Sequence, residues 1–196
     1  MFQVRIHGRG GQGVVTAAAI LSMAAFAEGR HSQAFPSFGS ERMGAPVISF
    51  CRIDDRPIRT REPVVEPDAL IIQDVTLIHQ VDLFAGLSSD GYVLVNTSRT
   101  FEELGLGELA HRFQPDRQLS CPATELALEK LGRPLPNAAL LGGFAALTSE
   151  ISIDAIGTAA RQRYPGTVGE QNAAAAMAAY EFVSFSRREL DRAATD

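Results

Sequence analysis

The feature that most constrains this chain is Gly8-Arg9-Gly10-Gly11-Gln12-Gly13, set between two segments of opposite periodicity. Before it, residues 2–7 alternate in the manner of a strand. After it, Val14 to Ala27 is small and apolar on most sides, which reads as a buried helix ended by Gly29. Strand, glycine turn, helix is the expected opening. Gly8 and Gly10 would allow a tight turn, and Gly13 a close helix–sheet approach. The first helical turn then aims unpaired N–H groups and the positive end of its dipole at whatever lies before it, which favours an anion such as phosphate. Thr16 can add a hydroxyl and Arg9 a charge. A tight turn that holds no ligand is the alternative.

The ligand is not read as NAD, because Gly29-Arg30-His31-Ser32-Gln33 has no acid where a dinucleotide fold would place one for the ribose. Arg30 facing a 2′-phosphate leaves NADP open. Val14-Val15 follow Gly13 in place of a Walker lysine, which disfavours a P-loop NTPase.

The formal charge of −5 and the lack of a basic stripe argue against nucleic acid. Lys130 is the only lysine, so the basic groups are almost all guanidinium forks suited to carboxylates and phosphates. Two cysteines, Cys51 and Cys121, are too few for an iron–sulfur cluster and read as buried, inert thiols. His31, His79 and His111 are scattered and make no metal set, so no metal site is expected. His7 beside the turn reads as a packed, hydrogen-bonded histidine, and no catalytic residue is assigned. The start of the chain lacks a basic leader region, and no apolar stretch reaches the roughly 20 residues of a membrane span. A cytoplasmic protein without a membrane partner is expected, as one domain over 1–196.

Further along, residues 30–46 read as neither helix nor strand, but as an ordered loop carrying Phe35 and Phe38. Val47 to Ile53 reads as a strand, Asp54-Asp55 as a turn, and Arg56-Pro57-Ile58-Arg59 as its antiparallel return at an edge. Ala69 to Gln73 and Tyr92 to Asn96 are buried parallel strands, with a helix over 75–84 between them and a weaker strand at 118–121. Asp74 either caps that helix or stands as a functional group at a strand end. Helices follow over 124–131, 138–147 capped by Asn137, up to Arg163 capped by Ser152, and 170–190 with Ala173, Met177, Tyr180 and Val183 at helical spacing. The expected fold class is α/β: a mostly parallel sheet with helices on both faces, a small antiparallel edge hairpin and a helical C-terminal part.

A second motif is Phe35-Pro36-Ser37-Phe38-Gly39-Ser40-Glu41-Arg42-Met43-Gly44-Ala45-Pro46. Together with the glycine turn and Thr16-Ala17, it resembles the gamma subunit of the 2-oxoacid:acceptor (pyruvate/2-ketoisovalerate ferredoxin) oxidoreductase family. The resemblance runs on through Pro67-Asp68-Ala69-Leu70-Ile71-Ile72-Gln73-Asp74, Val93 to Thr97, Ala123 to Ala127, Gly132-Arg133-Pro134-x-Pro136-Asn137 and Asn172. It departs at Met43, where the family often carries a second arginine.

The resemblance implies a subunit of an enzyme that oxidatively decarboxylates a 2-oxoacid to acyl-CoA and CO2. Thiamine diphosphate, magnesium and 4Fe–4S clusters would lie on alpha, beta and delta partner subunits. Electrons would pass to ferredoxin or an NAD-reducing subunit. CoA would be a co-substrate, and no cofactor would be bound permanently in this chain. The implied CoA face consists of Gly8, Arg9, Gly10, Gly11, Gln12, Gly13 and Thr16 with Ser37, Phe38, Gly39, Glu41 and Arg42. Pyruvate, 2-oxoisovalerate, 2-oxoglutarate, an aryl pyruvate and phenylglyoxylate all remain open as the oxoacid. The alternatives are a self-sufficient NADP-binding reductase and a pure assembly module with an empty turn.

Overall fold

The computed structural model describes residues 1–37 and 43–193, with the backbone alone at Leu109. The chain opens with strand β1 (Phe2–Arg9), helix α1 (Val14–Ala27), strands β2 (His31–Pro36), β3 (Pro46–Asp54), β4 (Ala69–Ile72) and β5 (Tyr92–Asn96). It continues with the short helix α2 (Gly107–Ala110), strand β6 (Gln118–Cys121), and helices α3 (Ala123–Leu131), α4 (Asn137–Thr148), α5 (Ile153–Arg163) and α6 (Thr167–Ala193).

The strands form one sheet in the order β2-β3-β1-β4-β5-β6. β1, β4, β5 and β6 run parallel, while β3 is antiparallel to both β1 and β2. The α/β class with an antiparallel edge hairpin is as expected. Both sheet faces are buried, which is why β4 is the uninterrupted apolar run Ala69-Leu70-Ile71-Ile72. Val4, Ile6, Ile71 and Leu94 face one core, packed under α1 and α3 to α6. Leu70, Ile72, Val93 and Val95 face the other, covered by Leu77, Leu83, Phe101, Phe113 and short turns that include α2. The two helical layers are therefore unequal in depth.

α1 is uniformly apolar because the sheet, α4 and α5 surround it. α4 is buried along almost its whole length. Its Gly142 meets α6 so closely that a Cβ there would lie 1.8 Å from the Ala176 carbonyl oxygen. Ser152 caps α5 by accepting from the Ala155 N–H at 3.1 Å, as expected. Asn137 is instead the first residue of α4, and its Oδ1 accepts only from the next N–H, at 2.9 Å. On α6, Ala173, Tyr180 and Val183 turn inward, whereas Met177 is exposed.

Two segments differ from the sequence reading. The antiparallel partner of β3 is β2, not residues 56–59, which form no strand. β2 is an edge strand whose order comes from its neighbour. Phe35 stacks at 5.2 Å on Phe50, and the Arg52 guanidinium lies 5.0 Å over the Phe35 ring. The helix expected over 75–84 is a single 3-10 turn, Val75–His79. Beyond it, the carbonyls of Leu83 and Ala85 accept from the buried Arg5 guanidinium at 2.8 and 2.6 Å, which ties this segment to β1.

Replacing Gly142 by alanine forces α4 and α6 apart. Overpacking of this kind costs about 1–3 kcal/mol or more. Thermal unfolding of the G142A chain is expected to show a lowered midpoint, whereas Gly132→Ala, where nothing lies within 4 Å, should cost only the strain of its positive φ.

Candidate anion-binding site

The glycine turn sits at the C-terminal end of the parallel strands, where open α/β sheets place their ligands. The glycines divide the work differently from the sequence expectation. Gly11 and Gly13 carry the positive φ angles, 94° and 75°. Gly8 is the point of close approach, since a Cβ there would lie 2.6 Å from Val14 Cγ2. Gly13 abuts α4 and not the sheet, with a Cβ position 2.8 Å from Asn137 Nδ2.

Helix α1 has no side-chain cap; Gly13, in the left-handed region, stands at its N-cap. The N–H groups of Gly11, Gly13, Val14, Val15 and Thr16 find no acceptor among the described residues. They border an open recess of about 270 Å3 whose walls are the turn, Val15, Thr16 and Val47. Such a set of bare donors, backed by a 14-residue helix, is the chemistry that binds a phosphate. A larger groove of about 360 Å3 lies between β6 and α6. Unlike the smaller recess, it does not lie at the start of a long helix.

The turn is braced from both sides. On one, Gly10 N–H donates to the Ala45 carbonyl at 2.9 Å, and Gly44 N–H to the Gly10 carbonyl at 3.0 Å. This extends the β1–β3 pairing and brings the end of the second motif against the first. Met43 is 91 % exposed there, its sulfur 3.1 Å from where a Gly11 Cβ would be. Ser37 is exposed and anchored through its N–H to the Ile48 carbonyl at 2.9 Å. Phe38, Gly39, Glu41 and Arg42, all expected on this face, lie outside the described residues.

On the other side stands Asp74. Its Oδ1 accepts from Thr76 N–H at 2.9 Å, and its Oδ2 from Gln12 Nε2 at 2.8 Å and Arg9 Nε at 3.2 Å. Burial would raise its pKa, but the bonds from Thr76 and Gln12, with the charge of Arg9, outweigh this and hold the carboxyl below its ordinary value. The cap alternative for Asp74 holds for the 3-10 turn, and the same carboxylate also ties down the glycine turn. Arg9 is committed here. Its guanidinium also donates to Thr76 Oγ1 at 2.7 Å, Gln80 Oε1 at 3.1 Å and the Gly44 carbonyl at 3.0 Å, so it is a brace more than a free cation.

His7 is buried at 3 % exposure, but not hydrogen-bonded as expected. Its Nε2 has no partner among the described residues. Burial, with the nearby Arg5 charge, lowers its pKa to about 3. Gln73, one residue past β4, is 2 % exposed with both amide atoms unpartnered, and its Oε1 lies 3.0 Å from the Gly8 Cβ position. Sequence reasoning passed over Gln73 and the Gly13–Asn137 contact. Their only signal was position at a strand end and a helix start.

Arg30 lies at the other end of α1, a helix whose 14 residues span about 21 Å. It is tied to Glu150 at 3.0 Å and Asp55 at 3.2 Å. β3 stands between β1 and β2, so the crossover of a dinucleotide fold is broken as well. The geometry gives no support to the NADP alternative. Asp54 and Asp55 are turn residues, with Asp54 Oδ1 accepting from Arg56 N–H at 3.0 Å. Cys51 and Cys121 are free and buried, their thiols pushed up to about 12 by burial. Among the described residues no group of three metal-ligating side chains occurs, and no helix is long and apolar enough to cross a membrane.

A family model for pyruvate ferredoxin/flavodoxin oxidoreductase matches residues 3–182. The chain belongs to that family. It is 47% identical over 186 residues to the pyruvate synthase subunit PorC of Methanothermobacter marburgensis, covering 95% of this chain and 99% of that one. It is 48% identical over 181 residues to the pyruvate/ketoisovalerate oxidoreductases common subunit gamma of Pyrococcus furiosus, covering 92% and 96%. The crystal structure of pyruvate oxidoreductase subunit PORC from Thermotoga maritima superposes with a TM-score of 0.76 at 33% identity, over 92% of this chain and 95% of that one. A 2-oxoglutarate:ferredoxin oxidoreductase from Magnetococcus marinus shares the fold at TM-score 0.68 and 14% identity, over 94% of this chain but 31% of its own. The chain is a gamma-type subunit of these oxidoreductases.

The depressed pKa of His7 has a signed consequence. The unfolded state takes up a proton near pH 6.5, and the folded state near about 3. Stability contributed by neutral His7 is present above pH 6.5 and is lost as the pH falls through that window. Denaturant unfolding of the purified chain between about pH 6.5 and pH 4 should show this slope, and His7→Leu should flatten it.

Proposed function

We propose that this chain is the gamma subunit of a CoA-acylating 2-oxoacid oxidoreductase and that its glycine-turn recess receives the phosphates of coenzyme A. The observation that carries the reading is the uncapped start of α1, whose donors open into the recess. Each charge-assisted N–H bond to a phosphate is worth about 1.5–3 kcal/mol net, enough to orient a nucleotide tail. A recess of about 270 Å3 is smaller than the roughly 300–1,000 Å3 of a site enclosing a whole drug-sized ligand. It therefore holds the phosphate portion, and the remainder lies against partner subunits.

The reaction is oxidative decarboxylation of a 2-oxoacid, with electrons passed to ferredoxin or an NAD-reducing subunit. Thiamine diphosphate supplies the carbon chemistry from the alpha and beta subunits. This chain has two cysteines where a cluster needs about four thiolates, and the clusters lie on a delta-type subunit or a beta extension. Gly11, Gly13 and the first turn of α1 bind, Thr16 adds a hydroxyl at the rim, and Gln12 and Arg9 keep the turn in shape. None of these groups moves a proton in the reaction. The complex works in the cytoplasm.

The test places a negative charge in the recess without harming the helix. Val15 is exposed in the first turn of α1, where a carboxylate suits the helix dipole. In the assembled complex, Val15→Glu should leave the melting point unchanged or raised, and raise the KM for CoA by about tenfold or more. An unchanged KM for CoA overturns the assignment.

A further inference from the structure

We infer that Asp74 is a positioning residue for CoA, acting through Gln12 and Arg9 to hold the glycine turn and the 43–45 strap in the geometry that exposes the α1 donors. This deepens, and rests on, the reading of the recess as the CoA site. Asp74 does not itself line the recess, but both of its oxygens are engaged. Oδ1 holds Thr76 through its N–H at 2.9 Å and its hydroxyl at 2.5 Å. Oδ2 holds the Gln12 amide at 2.8 Å and Arg9 Nε at 3.2 Å.

Each of the two arms reaches a different part of the turn. Gln12 returns its Oε1 to the Arg9 N–H at 2.7 Å, closing the loop from residue 9 to residue 12 with its own side chain. Arg9 crosses to the Gly44 carbonyl at 3.0 Å, pinning the strap whose Ala45 carbonyl accepts from Gly10. A glycine-rich segment has the largest conformational entropy to lose on ordering, so its open form has to be held from outside. The carboxylate also neutralises Arg9 at the place where it braces the strap, which keeps the guanidinium from turning into the recess and taking the place of the main-chain donors.

Asparagine cannot replace this carboxylate. It offers one acceptor oxygen and one donor nitrogen: with the nitrogen in the Oδ2 place both arms meet a donor with a donor, and with the oxygen there the nitrogen faces the Thr76 N–H and the negative charge that holds Arg9 is gone. The experiment compares assembled complexes carrying Asp74→Asn, Val15→Glu and, as a control, Asp68→Asn. Asp68 accepts from the Gln3 N–H at 2.7 Å, a similar bond at the opposite end of the sheet. For Asp74→Asn the KM for CoA is expected to rise about tenfold, about 1.4 kcal/mol of apparent affinity, with kcat at saturating CoA and the KM for the 2-oxoacid within about twofold. Asp68→Asn should leave the KM for CoA unchanged. Arg9→Leu combined with Asp74→Asn should raise the KM for CoA by less than the product of the two single effects, because the two share the Arg9–Asp74 tie.

If Asp74→Asn leaves the KM for CoA unchanged while Val15→Glu raises it, the positioning role is overturned and the CoA site stands. If neither raises it, the CoA site itself falls. A parallel rise in both KM values, or a rise in the Asp68 control, also overturns the positioning role. Should Asp74→Asn fail to assemble, Gln12→Met removes one arm and leaves the Arg9–Asp74 pair; a rise in the KM for CoA alone supports the role, and no change overturns it.

Discussion

The pairing of β1 with β3 is the constraint on which the rest of the molecule depends. It runs without a break from Phe2 opposite Ile53 to Arg9 opposite Pro46, and the main chain of Gly10 carries it on to Gly44 and Ala45. One ladder therefore places two glycine-bearing segments, some 30 residues apart in sequence, on the same corner. Because β3 is antiparallel and occupies the place beside β1, the crossover helix α1 has to deliver β2 one strand farther out. The edge hairpin and the exclusion of a dinucleotide arrangement follow from that single insertion.

Much of the fold was legible where a local rule is sufficient. The alternation of residues 2–7, the apolar run of β4 and the Ser152 cap are each decided by nearby residues. β2 was not legible, because its residues have little strand preference of their own; what orders them is Phe50 and Arg52 on the neighbouring strand. The 75–84 segment failed for a related reason. Its far end is held at Leu83 and Ala85 by Arg5, a residue some eighty positions earlier, and no window along the sequence contains both.

The local geometry of the glycine turn was legible in its backbone and less so in its side chains. A glycine turn before an apolar helix says where bare N–H groups will point, and they do point there. Arg9 looked like the natural cationic ligand because of its place in the turn. Three-dimensional structure instead sets it against Asp74, Thr76 and Gln80, all brought in by β4 lying parallel to β1. Gln12, which in sequence is one more polar residue among glycines, closes the turn. Such roles depend on partners some sixty-five positions away and become visible only once the strands are paired.

Among the described residues, the lack of ionisable side chains with free capacity at the recess has a practical meaning. His7 is neutral under ordinary conditions, Arg9 is already neutralised by its partner, and the remaining donors are amides that neither gain nor lose protons. A grip of this kind has no acid–base behaviour of its own. Whatever acidity or side-chain chemistry does to it has to act from outside, through the Asp74, Gln12 and Arg9 side chains that keep the turn in shape.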